Sequence, residues 1–176
     1  MAEPAVPPAD DKDWTWVLQR PCPECGFDAR SQDPTEIGAR TRATMATIAS
    51  RLRAAGAADR PSPDVWSPLE YGCHVRDVCR VFGGRLQLML EHDNPQFANW
   101  DQDETALTER YWAQDPSLTA DECEAAAATI ADQFDAVTAD QWSRSGTRSN
   151  GSVFTVDTLG RYFMHDLVHH VHDITR

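Results

Sequence analysis

His165-Asp166-Leu167-Val168-His169-His170, near the end of the chain, is the stretch that decides the fold. Residues four apart on a helix lie on one face, a turn apart. The imidazoles of His165 and His169 can therefore reach one metal ion. Leu159, Phe163, Leu167 and Ile174 recur around them at helical spacing, so Thr155 to about Ile174 reads as the last helix. A third imidazole, His74, stands far upstream on another helical segment. Three nitrogens with one position left open suit a catalytic metal more than a structural one.

Three further helices announce themselves. The first begins at Asp33-Pro34-Thr35-Glu36, with aspartate as cap, proline at the first helical position and glutamate at the third. Ile37, Met45, Ile48 and Leu52 follow, and the helix ends before Gly56. The second begins at Ser67-Pro68-Leu69-Glu70 and runs to about Glu91, with Tyr71, Val75, Val78, Phe82, Leu86 and Met89 at helical spacing. The third begins at Thr119-Ala120-Asp121-Glu122 and carries Ala126, Ile130, Phe134 and Val137. Four helices of similar length make an all-α chain, a four-helix bundle. The connection from His92 to Ser117 is too long for a hairpin, so it can cross the bundle end and set the third helix parallel to the second. It is rich in aromatic and acidic residues, and Glu104 to Ala113 reads as partly helical. Short extended pieces are expected at Thr15–Gln19 and Ser152–Phe154.

The 176 residues suffice for one domain with one core. A disordered tail is expected over 1–13, an irregular N-terminal extension over 14–32 and the bundle over 33–176. The formal net charge of −12 leaves no basic stripe for nucleic acid and disfavours electrostatic docking on an anionic membrane. No segment approaches the roughly 18 apolar residues of a membrane span. The first residues lack the basic and apolar regions of a signal peptide, so a cytoplasmic location is expected. One lysine, Lys12, stands among 16 basic residues; with abundant alanine, this suggests a GC-rich genome.

On a helical wheel Arg161, Tyr162, His165, His169 and His172 share a sector of the last helix. Tyr71, His74 and Asp77 share one on the second. If the sectors face each other, His74, His165 and His169 converge. Asp77 and Asp173 could then orient the rings as hydrogen-bond partners. His172 is a reserve ligand, and His170, about 100° from His169, points elsewhere. A surface His pair and a hydrogen-bonded core histidine are the other readings of these residues.

The order of one histidine early in the second helix, then HxxxH in the last, resembles the DinB-like superfamily of metal-binding four-helix bundles. That superfamily includes bacterial thiol S-transferases and mycothiol-dependent maleylpyruvate isomerase. Trp66-Ser67-Pro68-Leu69-Glu70-Tyr71-Gly72-Cys73-His74 resembles its entry to the second helix, and Phe154-Thr155-Val156 followed by His165 and His169 resembles the rest. The resemblance covers roughly residues 33 to 175. It implies up-up-down-down topology and a divalent metal, zinc or nickel, on His74, His165 and His169.

Pro21-Cys22-Pro23-Glu24-Cys25-Gly26 is half of a zinc ribbon. Cys73 and Cys79, about 240° apart on a helix, make a poor second half. The favoured reading is therefore a metal-free knuckle packed by Trp14, Trp16 and Phe27, with the cysteines dispensable for metal content. A redox-labile disulfide and a fourth, thiolate ligand to the histidine site are the other two.

An open three-histidine metal can bind a thiolate or activate water. The resemblance implies the first: a transferase, or a thiol-dependent isomerase, bringing a mycothiol-type thiol to a small electrophile. Arg161, Tyr71, Tyr162 and Trp100 are the candidate substrate contacts, with Cys22 and Cys25 as accessory thiols. The alternatives are a non-catalytic, metal-stapled binding or stress protein, and a metal-dependent hydrolase using Asp77 or Glu70 as base. A homodimer is left open.

Overall fold

The start signals at Asp33 and Ser67 do cap helical segments. In the computed structural model, which describes residues 5, 7, 8 and 12–175, Pro68 opens helix α2 (Pro68–Glu91) behind a full capping box. Glu70 N–H donates to Ser67 Oγ at 3.3 Å, and Ser67 N–H donates to Glu70 Oε2 at 2.8 Å. Asp33 caps a single 3-10 turn, Pro34–Glu36, that runs into α1 (Ile37–Leu52). The His92–Ser117 connection holds a strand β1 (Gln96–Phe97), a short helix α3 (Gln102–Thr108) and a 3-10 turn, Tyr111–Ala113. Helix α4 (Pro116–Asp135) starts ahead of the expected Thr119, because Asp115 accepts from Leu118 N–H and Pro116 takes the first position. Strands β2 (Ser145–Arg148) and β3 (Val153–Thr155) precede the last helix, α5 (Val156–Thr175). The small sheet is ordered β1-β2-β3; β2 runs parallel to β1 and antiparallel to β3. Thr15–Gln19 is not extended. It falls largely within a 3-10 helix, Trp14–Leu18, capped by the Asp13 side chain.

The four long helices form one bundle in which α1 and α2 each pack on α4 and α5. Arg42 pairs with Asp135, and Arg53 with Asp121 and Glu124, so α1 and α4 are antiparallel. Gly72 lies against Cys123, and Gly83 against Ile130, so α2 and α4 are parallel, as the long connection allows. Thr41 meets Met164, and Gly160 meets Ile37, so α1 and α5 are parallel. His74 meets His170, and Phe82 meets Phe163, so α2 and α5 are antiparallel. The order is up-down-down-up in place of up-up-down-down. Gly56, at φ 76°, turns the chain back after α1, and Leu69 N–H donates to the Ala57 carbonyl at 2.8 Å to fasten α2 beside that turn.

Ile48, Leu52, Leu69, Leu86, Ile130, Leu159, Phe163 and Leu167 are among the buried side chains of one continuous core. Each contributes roughly 1.5–3 kcal/mol against the entropy of ordering the chain. Phe27 and Ala29 of the N-terminal extension join that core, so the extension is packed against the bundle. The tail expected over 1–13 falls mostly outside the described residues. No helix among them is long and apolar enough to cross a membrane.

Candidate metal centres and their cavity

The capping box fixes where α2 begins and so where His74 emerges. His74 is almost wholly buried. Its ring stacks on Trp100, with centroids 5.6 Å apart and planes 5° apart, and Trp100 Nε1–H donates to Thr105 Oγ1 at 2.8 Å. Trp66, just before the cap, packs on another side at 5.7 Å.

Helix α5 presents two stripes to two different partners. Tyr162, Asp166, His170 and Asp173 follow one another at spacings of three or four. Of these, Tyr162 meets Phe82, Asp166 meets His74, and the His170 ring lies 4.7 Å from His74, all on α2. Arg161, His165 and His169 form the neighbouring stripe and face the N-terminal extension. Arg161 Nη1 donates to the Ala29 carbonyl at 2.6 Å, His165 packs on Trp14 and Phe27, and His169 packs on Trp14 and lies near Cys22.

Two groups of metal-ligand type result, each with its donor atoms within 4.8 Å of one another: His74, Asp166 and His170, and Cys22, Cys25, His165 and His169. The triad His74, His165 and His169 is thus divided. His74 falls in one group and the other two histidines in the second. Adjacent residues on a helix diverge by about 100°, and the step from His165 to Asp166 is the step from one partner to the other. His172 belongs to neither group.

In the first group, His74 Nε2 is 3.4 Å and His170 Nε2 3.2 Å from Asp166 Oδ1. Both ring nitrogens of His74 and Asp166 Oδ1 are buried with no atom among the described residues in hydrogen-bond geometry. Buried polar atoms are ordinarily hydrogen-bonded; here His74 and His170 both face Asp166 Oδ1 as charge contacts, and donor atoms gathered in this way fit a cation. Burial pushes His74 toward its neutral form, the form that ligates metals. Burial also opposes the charges of Asp166 and His170, but each stabilises the other. The Asp166 carboxyl is held well below the usual range, and His170, flanked by Asp166 and Asp173, is pushed up to about 9. His170 Nδ1 is 3.0 Å from Asp173 Oδ2, which fixes the ring with Nε2 toward Asp166.

In the second group, Cys22 Sγ is 3.7 Å from His169 Nδ1. Both cysteines are free thiols, and burial pushes the Cys25 thiol up to about 11. Burial holds His165 down to about 4.

A cavity of about 570 Å³ adjoins both groups, lined by Trp14, Trp66, Tyr71, Trp112, Tyr162, His165, Asp166, His169 and His170 among others. Tyr71 and Tyr162 therefore stand where substrate contacts were expected. Trp100 acts behind His74, outside the lining. Arg161 is not in the lining either, since its guanidinium is taken by Asp157 (2.6 Å) and Ala29. Asp77 does not serve His74: it accepts from Arg76, Arg80 and, at 2.6 Å, Tyr111 O–H. Glu70 is held by Arg60 and the cap. Trp112, missed in the sequence, lines the cavity with an indole N–H that has no partner among the described residues. Asp166 and His170 were missed too, although they form a second pair at spacing four, offset by one residue from His165 and His169.

The DinB superfamily profile matches residues 37–174. The chain belongs to the DinB superfamily. Among solved structures it is similar to YfiT from Bacillus subtilis, described as a probable metal-dependent hydrolase with an unusual four-helix bundle topology. The likeness has a TM-score of 0.71 and 17% sequence identity, and it covers 82% of this chain and 86% of YfiT. At that identity the likeness speaks for the DinB fold alone. No curated protein matches the chain.

Proposed function

We propose that this DinB protein is a metal-dependent transferase of the cytoplasm that brings a low-molecular-weight thiol of the mycothiol type to a small electrophile. His74, Asp166 and His170 are its metal ligands, for zinc in the first place and nickel in the second. The observation that carries this is the convergence of His74, Asp166 and His170, with both His74 nitrogens and Asp166 Oδ1 buried, beside a cavity large enough for a small molecule. Three protein ligands leave a position open. A divalent cation held there supplies the Lewis acidity that keeps a coordinated thiol as thiolate at neutral pH.

The chain's own residues supply position and exclusion of water. Trp100, anchored on Thr105, sets the plane of His74. Asp173 sets His170. Trp66 and Tyr71, packed edge to face at 5.5 Å, wall the cavity with apolar surface. The indole N–H of Trp112 offers a donor to a polar group of thiol or electrophile.

Hydrolysis is the second reading. Two histidines and one carboxylate are also a hydrolytic zinc set, and YfiT is described as a probable hydrolase. Water activation calls for a carboxylate base near the metal, and the two read from the sequence, Glu70 and Asp77, are committed to arginines. Thiol transfer needs no such base.

Metal-loaded protein is to be assayed with mycothiol, bacillithiol and a simple thiol against a generic electrophile, and separately against ester and amide substrates. Thiol consumption faster than in buffer, lost in His74→Ala, is expected. Hydrolysis without thiol consumption would replace this proposal with the second reading. No turnover of either kind, with metal bound, would leave a metal-stapled binding protein.

A further inference from the structure

The cysteine pair lies outside the proposed catalytic centre, yet it is built with care. Gly26 N–H donates to the Cys22 carbonyl at 2.9 Å, and Cys22 N–H donates to the Phe27 carbonyl at 2.8 Å. Gly26 sits at φ 75°, a conformation that favours glycine. The closed turn brings both sulfurs to the stripe of α5 that carries His165 and His169, with all four donors within 4.8 Å. The half ribbon therefore finds its missing half in HxxxH on a helix, where a second CxxC was sought in the sequence.

We infer that Cys22, Cys25, His165 and His169 form a second, four-ligand zinc centre that staples the N-terminal extension onto α5. Two thiolates and two imidazoles complete a tetrahedral zinc set and leave no open position, so this centre is structural. Their two negative charges balance the ion's two positive ones. His165 Nε2 is buried with no hydrogen-bond partner among the described residues, which is costly unless something ligates it. His169 turns Nδ1 to Cys22, while Nε2 lies 3.7 Å from Glu24 and 3.8 Å from Asp173. Carboxylates on the far nitrogen are the usual support of a ligating imidazole. Trp14 packs on both imidazoles, at 5.7 and 5.2 Å, and Phe27 on His165 at 5.8 Å, placing apolar rings beside the site. The centre stands whether or not the neighbouring one transfers thiols.

The full chain, purified with a phosphine in place of a thiol reductant, is to be exchanged into cobalt and its metal counted by mass spectrometry. A thiolate-to-cobalt charge-transfer band is expected in the near ultraviolet before any external thiol is added. Cys22→Ser/Cys25→Ser should abolish the band and lower metal content by one equivalent, whether the starting total is two or one. Wild-type zinc protein should also protect two thiols from alkylation until a chelator is added, a readout that needs no variant. A cobalt protein without the band, unchanged metal content in the double variant, or a metal-free Cys22–Cys25 disulfide would each overturn the inference.

Discussion

His169 and His170 are consecutive, yet they face different metal groups. His169 Nδ1 lies 3.7 Å from Cys22 Sγ, while His170 Nε2 lies 3.2 Å from Asp166 Oδ1 beside His74. One helix thus carries members of both donor groups, and the two imidazole rings are 5.7 Å apart. Residues around α5 can be sorted by the side they face, and each sorting has a measurable consequence.

Arg161 faces the extension and should act on stability. It donates to the Ala29 carbonyl and pairs with Asp157, both at 2.6 Å. Arg161→Ala removes a charge-assisted hydrogen bond from that carbonyl, which keeps only the Gln32 N–H at 3.3 Å, at a cost of about 1.5–3 kcal/mol. A lower melting temperature with an unchanged KM for thiol is expected. A raised KM with unchanged melting would return Arg161 to the role first read from the sequence.

Asp77 ties the connection to α2 through Arg76 and Tyr111. Burial alone would raise its pKa, but the hydrogen bonds from Arg76 and Tyr111 outweigh it, and the carboxyl is held below its ordinary range. A depressed folded pKa means stability that is fully present above the unfolded value of about 3.9 and lost as pH falls through the folded one. Asp77→Asn should cost about 2–4 kcal/mol at neutral pH. Denaturant titrations of both proteins should show the gap closing below about pH 4. A gap independent of pH would mean that the charge of Asp77 contributes nothing.

Much of the fold was legible in local chemistry. Ser67-Pro68-Leu69-Glu70 starts α2 where the capping pattern says it should, and the length of the His92–Ser117 connection foretold parallel α2 and α4. The start of α4 was misplaced because Thr119-Ala120-Asp121-Glu122 imitates a start, while Asp115-Pro116 makes the real one. Helix directions rest on the Gly56 turn, which periodicity does not report. Ligand sorting failed for a related reason. A wheel gives the relative directions of His165 and Asp166, but the phase of α5 is set by what packs on each side. The extension takes the His165 side and leaves Asp166 and His170 to His74.

Metal should matter to folding, since each proposed centre draws ligands from separate parts of the chain. Linkage adds about 2.7 kcal/mol per site at a free metal level 100 times the dissociation constant. That corresponds to about 5–10 °C of melting temperature per site for a chain of this size. Calorimetry before and after chelation measures it. Identical melting after verified removal of all metal would contradict both centres.

The central claim is that the centre at His74, Asp166 and His170 is open and accepts a thiol. Cadmium NMR of the cadmium-loaded full chain tests it most directly, because thiolate ligation moves the metal resonance strongly downfield. Two resonances are expected, a downfield one from the cysteine-histidine centre and an upfield one from the histidine-aspartate centre. Adding mycothiol or a simple analogue should shift the upfield resonance downfield and leave the other in place, and His74→Ala should remove the upfield resonance. An upfield resonance that no thiol moves, or that survives in His74→Ala, would contradict the account.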